Sequence, residues 1–124
     1  MGDLSANFMS YEFACKGLIC CGGSVPMNPA LVASLQLFRD YVDAPVVINS
    51  GFRCITHNVE IGGTQGSQHT FGRAVDIKLV GDMTIDDMVV VAERIHLFRM
   101  GGIGRYETWL HLDVGPLKRR WDER

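Results

Sequence analysis

The chain has 124 residues, of which 47% are hydrophobic, and this size predicts a single globular domain over residues 1–124. Lysine and arginine number 12 against 14 aspartates and glutamates, which gives a net charge of −2. No polybasic surface for nucleic acid or anionic lipid is expected from this balance. The sequence lacks both a run of about 18 apolar residues and a signal-peptide pattern, so a cytoplasmic protein that is not embedded in a membrane is expected.

The N-terminal segment, residues 1–27, is glycine-rich and without strong periodicity, and is predicted to be an irregular wrapping segment. It contains Cys15, Cys20 and Cys21, while Cys54 follows later. A second metal site is the less favoured interpretation, because the spacing lacks the paired C-x2-C knuckles of structural zinc sites. A disulfide from Cys15 or Cys20 to Cys54 remains open, and so do four thiols.

The first predicted helix covers residues 28–43, because Asn-Pro is a typical helix start and apolar residues then recur at helical spacing. The β-branched run at residues 46–48 predicts a short buried strand that ends in a turn. Residues 53–72 are polar and dotted with glycine. They predict a long loop, and long loops in compact domains are often functional.

Two later segments alternate between apolar and polar residues, as half-buried strands do. In residues 73–79 the alternation places Asp76 on the polar face. In residues 108–114 it places His111 and Asp113 together on the polar face. If the two strands pair, an imidazole and a carboxylate meet on one side of a sheet.

The rest of the C-terminal half is predicted as one helix, a turn and a tail. A T-x-x-D capping box precedes a helical apolar pattern over residues 84–95, up to the Gly-Gly break. Residues 103–106 are predicted to form a turn. The charged tail, residues 117–124, is expected to be exposed apart from Trp121.

The residues with metal-binding chemistry are His69, Asp76 and His111. Three protein ligands leave a fourth position open, which is the arrangement of a catalytic zinc site rather than a closed structural one. Imidazole and carboxylate also suit iron or manganese, but zinc is favoured for a redox-silent hydrolase. Such a zinc ion lowers the pKa of a bound water to roughly 7 and polarises a carbonyl group.

A proton acceptor must accompany the metal, and the sequence offers three candidates. Asp113 is preferred because it shares a strand face with His111, Glu107 is second, and His57 is a weaker third. Asp113 could equally be a carboxylate that orients an imidazole. His96, near the end of the second helix, is expected to be structural.

The sequence resembles a known family. Residues 67–76 read S-Q-H-T-F-G-R-A-V-D and match the S-x-H-x-x-G-x-A-x-D signature of the zinc D-Ala-D-Ala carboxypeptidase family, which includes vancomycin-resistance D,D-dipeptidases, phage L-alanyl-D-glutamate endolysins and the related Hedgehog signalling domain. Residues 49–54 resemble the family's S-G-[YF]-R segment. Residues 101–121 resemble its G-G-x-G-x-Y…H-x-D-x-G-P…W ending, closest to the branch with the last ligand in His-x-Asp.

The resemblance implies an α+β fold, a small antiparallel sheet with helices packed on one side. It implies three zinc ligands, namely His69, Asp76 and His111. Arg53 would contact the substrate or stabilise the transition state, with a buried ion pair as the alternative, and Ser67 and Gln68 would line the substrate cleft. Several relatives carry the catalytic acid three residues before the last ligand. Thr108 stands there, and Glu107 is one residue out of register.

The function implied is that of a monomeric zinc metallopeptidase, a D,D-carboxypeptidase or endopeptidase that hydrolyses peptide bonds in peptidoglycan stem peptides or cross-links. Because peptidoglycan lies outside the membrane, the protein is expected to act after release, as a phage-encoded lysin would. Two alternatives are a zinc-stabilised cell-wall-binding module without turnover and a phage structural component.

Overall fold

The secondary structure is taken from a computed structural model, which describes residues 4–16, 27–63 and 67–124. In chain order the elements are a 3-10 helix Ser10–Phe13, α1 Pro29–Val42, β1 Ile48–Ser50, α2 Ile55–Glu60, a 3-10 helix Gln68–Phe71, β2 Ala74–Lys78, α3 Ile85–Ala92, α4 His96–Arg99, β3 Gly102–Arg105, β4 Trp109–Asp113 and β5 Arg119–Asp122. Across these described ranges, no helix combines the length and apolar character needed to cross a membrane.

The five strands form one sheet in the order β1-β2-β4-β3-β5. The pairs β1–β2, β2–β4 and β4–β3 are antiparallel, and β5 joins β3 in parallel. The predicted α+β class is therefore confirmed, with the difference that the sheet is mixed at one edge. After β4 the chain reverses direction, so β5 is antiparallel to β4. It pairs with the free edge of β3 instead of with β4, and is therefore parallel to β3.

Helices cover one face of this sheet. The apolar residues of the central strands are fully buried on that face, namely Val75, Ile77, Ile103, Leu110 and Leu112. Helices α3 and α4 pack against β3 and β4, and α1 packs against α3 and α4. The opposite face of the central strands is left for polar residues, as the alternation in β2 and β4 predicted.

The two main helices begin where the sequence predicts. The Asn28 side chain accepts a hydrogen bond from the Ala30 N–H at 2.8 Å, and Thr84 and Asp87 form the predicted reciprocal capping box. The second helix ends sooner than predicted, at Ala92 instead of residue 95. The apolar spacing continues because Ile95, the residue before α4, and Phe98 within it are both buried in the same core.

Two other predictions for local structure were wrong, and two were right in part. The predicted loop at residues 53–72 contains α2 and a 3-10 helix, and the predicted turn at residues 103–106 contains most of β3. The strand predicted at residues 46–48 is displaced by two residues, to β1, and the tail at residues 117–124 is largely exposed as predicted but contains β5. The glycines of β3 and the charged residues of β5 give no strand pattern in the sequence. These strands form because they pair with their neighbours, not because of local propensity.

The first described residues belong to the core rather than to a loose wrapping segment. Phe8 and Phe13 are 1% and 0% exposed, and the Phe52 N–H donates to the Phe13 carbonyl at 2.8 Å. The sulfurs of Cys15 and Cys54 lie 3.8 Å apart as thiols rather than as a disulfide. Cys20 and Cys21, with the rest of residues 17–26, lie outside the described residues.

Replacement of Phe13 by alanine tests this assignment. Removing a fully buried phenylalanine should lower the free energy of unfolding by about 3–5 kcal/mol, measured by urea denaturation. Tyr11→Ala is the matched control, because Tyr11 lies in the same 3-10 helix but is 71% exposed, and it should change stability by less than about 0.5 kcal/mol. Equal effects of the two substitutions would show that the segment does not contribute to the core.

Candidate metal centre and cleft

The polar face of the sheet carries one row of residues that crosses all five strands. Register places Ser50 opposite Asp76, Asp76 opposite His111, His111 opposite Gly104, and Gly104 opposite Trp121. The pairing of the two alternating strands therefore brings Asp76 and His111 together, as predicted. The His111 Nδ1 atom lies 3.0 Å from Asp76 Oδ1.

The turn before β2 adds His69 to this row. The Ser67 side chain caps the 3-10 helix by accepting a hydrogen bond from the His69 N–H at 3.2 Å. Gly72 then ends that helix with a φ of 69°, a left-handed conformation that glycine adopts without steric cost. The chain thus turns directly into β2, and His69 Nε2 lies 3.3 Å from Asp76 Oδ1.

Hydrogen bonding fixes which histidine nitrogens face the centre. His69 Nδ1 lies 2.8 Å from the Gly51 carbonyl oxygen, and because a carbonyl only accepts, Nδ1 carries the proton and Nε2 offers a lone pair. That Nε2 is buried and has no hydrogen-bond partner among the described residues. His111 Nε2 donates to Asp113 Oδ2 at 2.7 Å, so Nδ1 is the atom that faces Asp76.

The three facing atoms fit a metal ion. One ligand atom each from His69, Asp76 and His111 can be chosen so that all lie within 4.8 Å of one another. Two ligands held about 2.1 Å from a tetrahedral ion lie roughly 3.4 Å apart, close to the distances observed to Asp76. A lone pair of His69 that points at a carboxylate oxygen needs a cation between them, because neither atom can donate.

The electrostatics of the centre follow from the same contacts. Burial by itself raises the pKa of Asp76, but the neighbouring imidazoles of His111 and His69 bring that pKa well below its usual range. Burial lowers the pKa of His111, yet its hydrogen bond to Asp113 and the negative charges of Asp76 and Asp113 raise it overall. The pocket is thus built around an ionised carboxylate that attracts positive charge.

Asp113 was the preferred candidate for the proton acceptor, but it does not lie where a base would have to lie. Its side chain is 0% exposed, and Oδ1 accepts from the backbone N–H groups of Gly102 and Gly115 at 2.9 and 3.0 Å. Its Oδ2 accepts from His111. The carboxylate lies behind His111 and does not line the cleft, so the geometry argues against its role as a base and favours the alternative, orientation of the imidazole.

The other predicted groups lie on the cleft or near it. Arg53, Ser67 and Gln68 line a cleft of about 470 Å³ over the three ligands. The Arg53 Nη2 atom donates a long hydrogen bond to Ser67 Oγ at 3.4 Å, and burial lowers the pKa of Arg53 against the opposing charge of Asp76. Glu107 is exposed, on the turn between β3 and β4. Among the described residues that line the cleft, Asp76 is the sole carboxylate.

The remaining two histidines are His57 and His96. His96 begins α4 and lies on the surface, with Nδ1 3.2 Å from an Arg99 Nη2 atom. His57 lies in α2, with Nδ1 3.8 Å from Glu60 Oε2. Neither is among the described residues that line the cleft.

The sequence did not predict the aromatic side of the cleft. Tyr106, Trp109, Arg119 and Trp121 also line it. The Trp121 ring lies 4.9 Å from the His111 ring, centroid to centroid, and its Nε1 donates to the Tyr106 hydroxyl at 2.9 Å. The available signal was the G-x-G of β3, because a Cβ at Gly104 would lie 2.2 Å from Trp121 Cε2.

Replacing Asp113 by asparagine distinguishes orientation of His111 from base catalysis. The asparagine oxygen can keep both backbone hydrogen bonds, which leaves its NH₂ group facing His111 Nε2. His111 would then have to move its proton to Nδ1 and lose its metal-facing lone pair. We expect metal affinity to fall by about 10–100-fold, measured by competition with a chelating dye. Unchanged affinity with lost turnover would instead support Asp113 as the base.

Comparisons with known proteins agree with the geometry. The sequence profile described as Peptidase M15 matches residues 6–113. The zinc D-Ala-D-Ala carboxypeptidase of Streptomyces albus G is 43% identical over 44 residues, which cover 35% of this chain and 17% of that relative. The matched segment is thus a small part of the relative's length. Because the profile covers most of the chain, this protein belongs to the peptidase M15 family.

Proposed function

We propose that the protein is a zinc-dependent peptidase that hydrolyses peptide bonds in the stem peptides or cross-links of bacterial peptidoglycan. The observation that carries the proposal is the buried, unpartnered Nε2 of His69, which points at the ionised Asp76 carboxylate next to His111 Nδ1. Two neutral imidazoles and one carboxylate are a ligand set of catalytic zinc sites. The family assignment and the zinc enzyme of Streptomyces albus G support the same choice of metal.

In the proposed site, three residues would bind the metal and two others would orient the histidine ligands. His69, Asp76 and His111 would hold zinc, which when bound activates water and polarises the scissile carbonyl. Gly51 and Asp113 fix the two imidazoles through their outer nitrogens. This arrangement keeps both metal-facing lone pairs oriented toward one point before substrate arrives.

Arg53 is proposed to bind the substrate or the developing negative charge. The Arg53 Nε is buried without a hydrogen-bond partner among the described residues, and the hydrogen bond from Nη2 to Ser67 is long. A guanidinium with unused donors over a metal site suits a substrate carboxylate or an oxyanion. Ser67 and Gln68 would then form the cleft wall beside it.

Of the three predicted candidates, Glu107 is the one that we propose as the proton acceptor. Asp113 is enclosed and committed to His111, whereas Glu107 lies on the turn between Tyr106 and Trp109, both of which line the cleft. An exposed turn can bring its carboxylate to the cleft when substrate binds, because catalytic contacts often tighten only in the complex. We therefore assign proton transfer to Glu107.

The proposed activity is tested on purified muropeptides. Wild-type protein loaded with zinc should release new amino or carboxyl termini, and the mass of the products identifies the bond that is cut. His69→Ala removes one of three ligands and should abolish both zinc retention and cleavage. His96→Ala is the matched control and should behave as wild type. Wild-type protein that retains zinc but cleaves no muropeptide would overturn the proposal in favour of a zinc-stabilised binding module.

Substitution of Glu107 by glutamine tests the proton acceptor separately. The variant should keep its zinc content and KM, while kcat falls by about 10²–10⁴-fold, the usual contribution of a positioned acid or base. Glu60→Gln, at an exposed carboxylate that does not line the cleft, is the control and should keep full activity. If Glu107→Gln also keeps full activity, Glu107 is not the proton acceptor.

A further inference from the structure

The edge strand β5 contributes a second arginine to the cleft, in addition to Arg53. Register places Arg119 opposite Gly102 and Trp121 opposite Gly104, on the sheet face that carries the metal ligands. Neither glycine has room for a side chain, because a Cβ at Gly102 would lie 2.2 Å from Asp113 Oδ2. The missing side chains of β3 allow groups of β5 to extend over β3 towards His111.

The Arg119 guanidinium is held in place by its neighbours, but few of its hydrogen-bond donors are engaged. Its Cζ lies 5.2 Å from the centroid of the Trp121 ring, and Nη2 lies 3.4 Å from Asp113 Oδ2. That oxygen already accepts the shorter hydrogen bond from His111 at 2.7 Å. A guanidinium has five N–H donors, and the Arg119 side chain is 49% exposed, so most of its donors remain available to a ligand in the cleft.

The two arginines lie on opposite sides of the metal ligands. Arg53 follows β1, the ligands Asp76 and His111 lie on β2 and β4, and Arg119 begins β5. The strand order therefore places the two ligand-bearing strands between Arg53, near one edge of the sheet, and Arg119, at the other edge. A substrate whose scissile bond lies over the ligands would extend towards a guanidinium in both directions.

We propose that Arg119, braced by Trp121, forms a subsite for a substrate carboxylate on the side of the scissile bond opposite Arg53. The inference rests on the proposed peptidase function and specifies its substrate class, a stem peptide with a free carboxylate on that side. Peptidoglycan stem peptides offer such groups at D-glutamate and at the diamino acid. An arginine with paired donors binds a carboxylate through two parallel charge-assisted hydrogen bonds, whereas a carboxamide offers one neutral acceptor.

The experiment compares matched stem peptides that carry either a carboxylate or a carboxamide at D-glutamate, and likewise at the diamino acid. Wild-type protein should cleave the carboxylate form with the higher kcat/KM at one of these positions. Arg119→Gln should lower kcat/KM on that form by about 10–100-fold and leave the carboxamide form within about twofold. Arg119→Lys, which keeps the charge, should recover part of the preference.

Two controls separate this result from other causes. Lys118→Gln removes a neighbouring positive charge that does not line the cleft, and it should keep the wild-type preference. Zinc content should be equal in all variants, which excludes an effect through Asp113 and His111. An equal loss on both peptide forms, or none on either, would overturn the carboxylate subsite while leaving the peptidase function standing. Failure of wild-type protein to cleave any form would instead count against the peptidase function.

Discussion

The register between β2 and β4 is the constraint on which the site depends. Asp76 lies opposite His111 because Val75 and Ile77 pair with Leu112 and Leu110 on the other face, where all four are buried. A slip by one residue would move Asp76 into the helix-covered core and expose its apolar neighbours. The free energy gained by burying the apolar face therefore also fixes the distance between two of the proposed metal ligands.

A second constraint is steric and comes from β3. Between a ligand strand and the edge strand, Gly102 and Gly104 leave a shallow trough that Asp113 and Trp121 fill. The glycines weaken β3 as an isolated strand, but they let Asp113 reach the Gly102 N–H and hold His111. The glycines thus lower the strand propensity of β3 at the point where the Asp113 carboxylate needs room to hold His111.

The sequence was sufficient to predict the structure where a local pattern of residues decides it. Alternation around Asp76 and His111 predicted the faces of β2 and β4, and the Asn28 and Thr84 caps predicted two helix starts. It was not sufficient for β3 and β5, because a G-x-G strand and a charged strand become strands only by pairing with neighbours. For the same reason residues 117–124 were predicted to be an exposed tail, apart from Trp121, and not to contain a strand. Asp113 shared a face with His111 in the pattern, but only its burial and its hydrogen bonds separate an orienting carboxylate from a base.

The distribution of charge supports the proposal that the cleft binds an anionic substrate. Asp113 is enclosed, and Asp76 faces the histidines, so neither carboxylate is available to repel a negative group in the open part of the cleft. The charges that do face it are the guanidiniums of Arg53 and Arg119. A divalent ion held by these residues would exceed the single charge of Asp76, and the field in a partly desolvated cleft would then be positive. In the proposed reaction, the same field would favour the negative charge that develops on a carbonyl oxygen under attack by water, so binding of the substrate and stabilisation of its transition state would draw on one arrangement of charges.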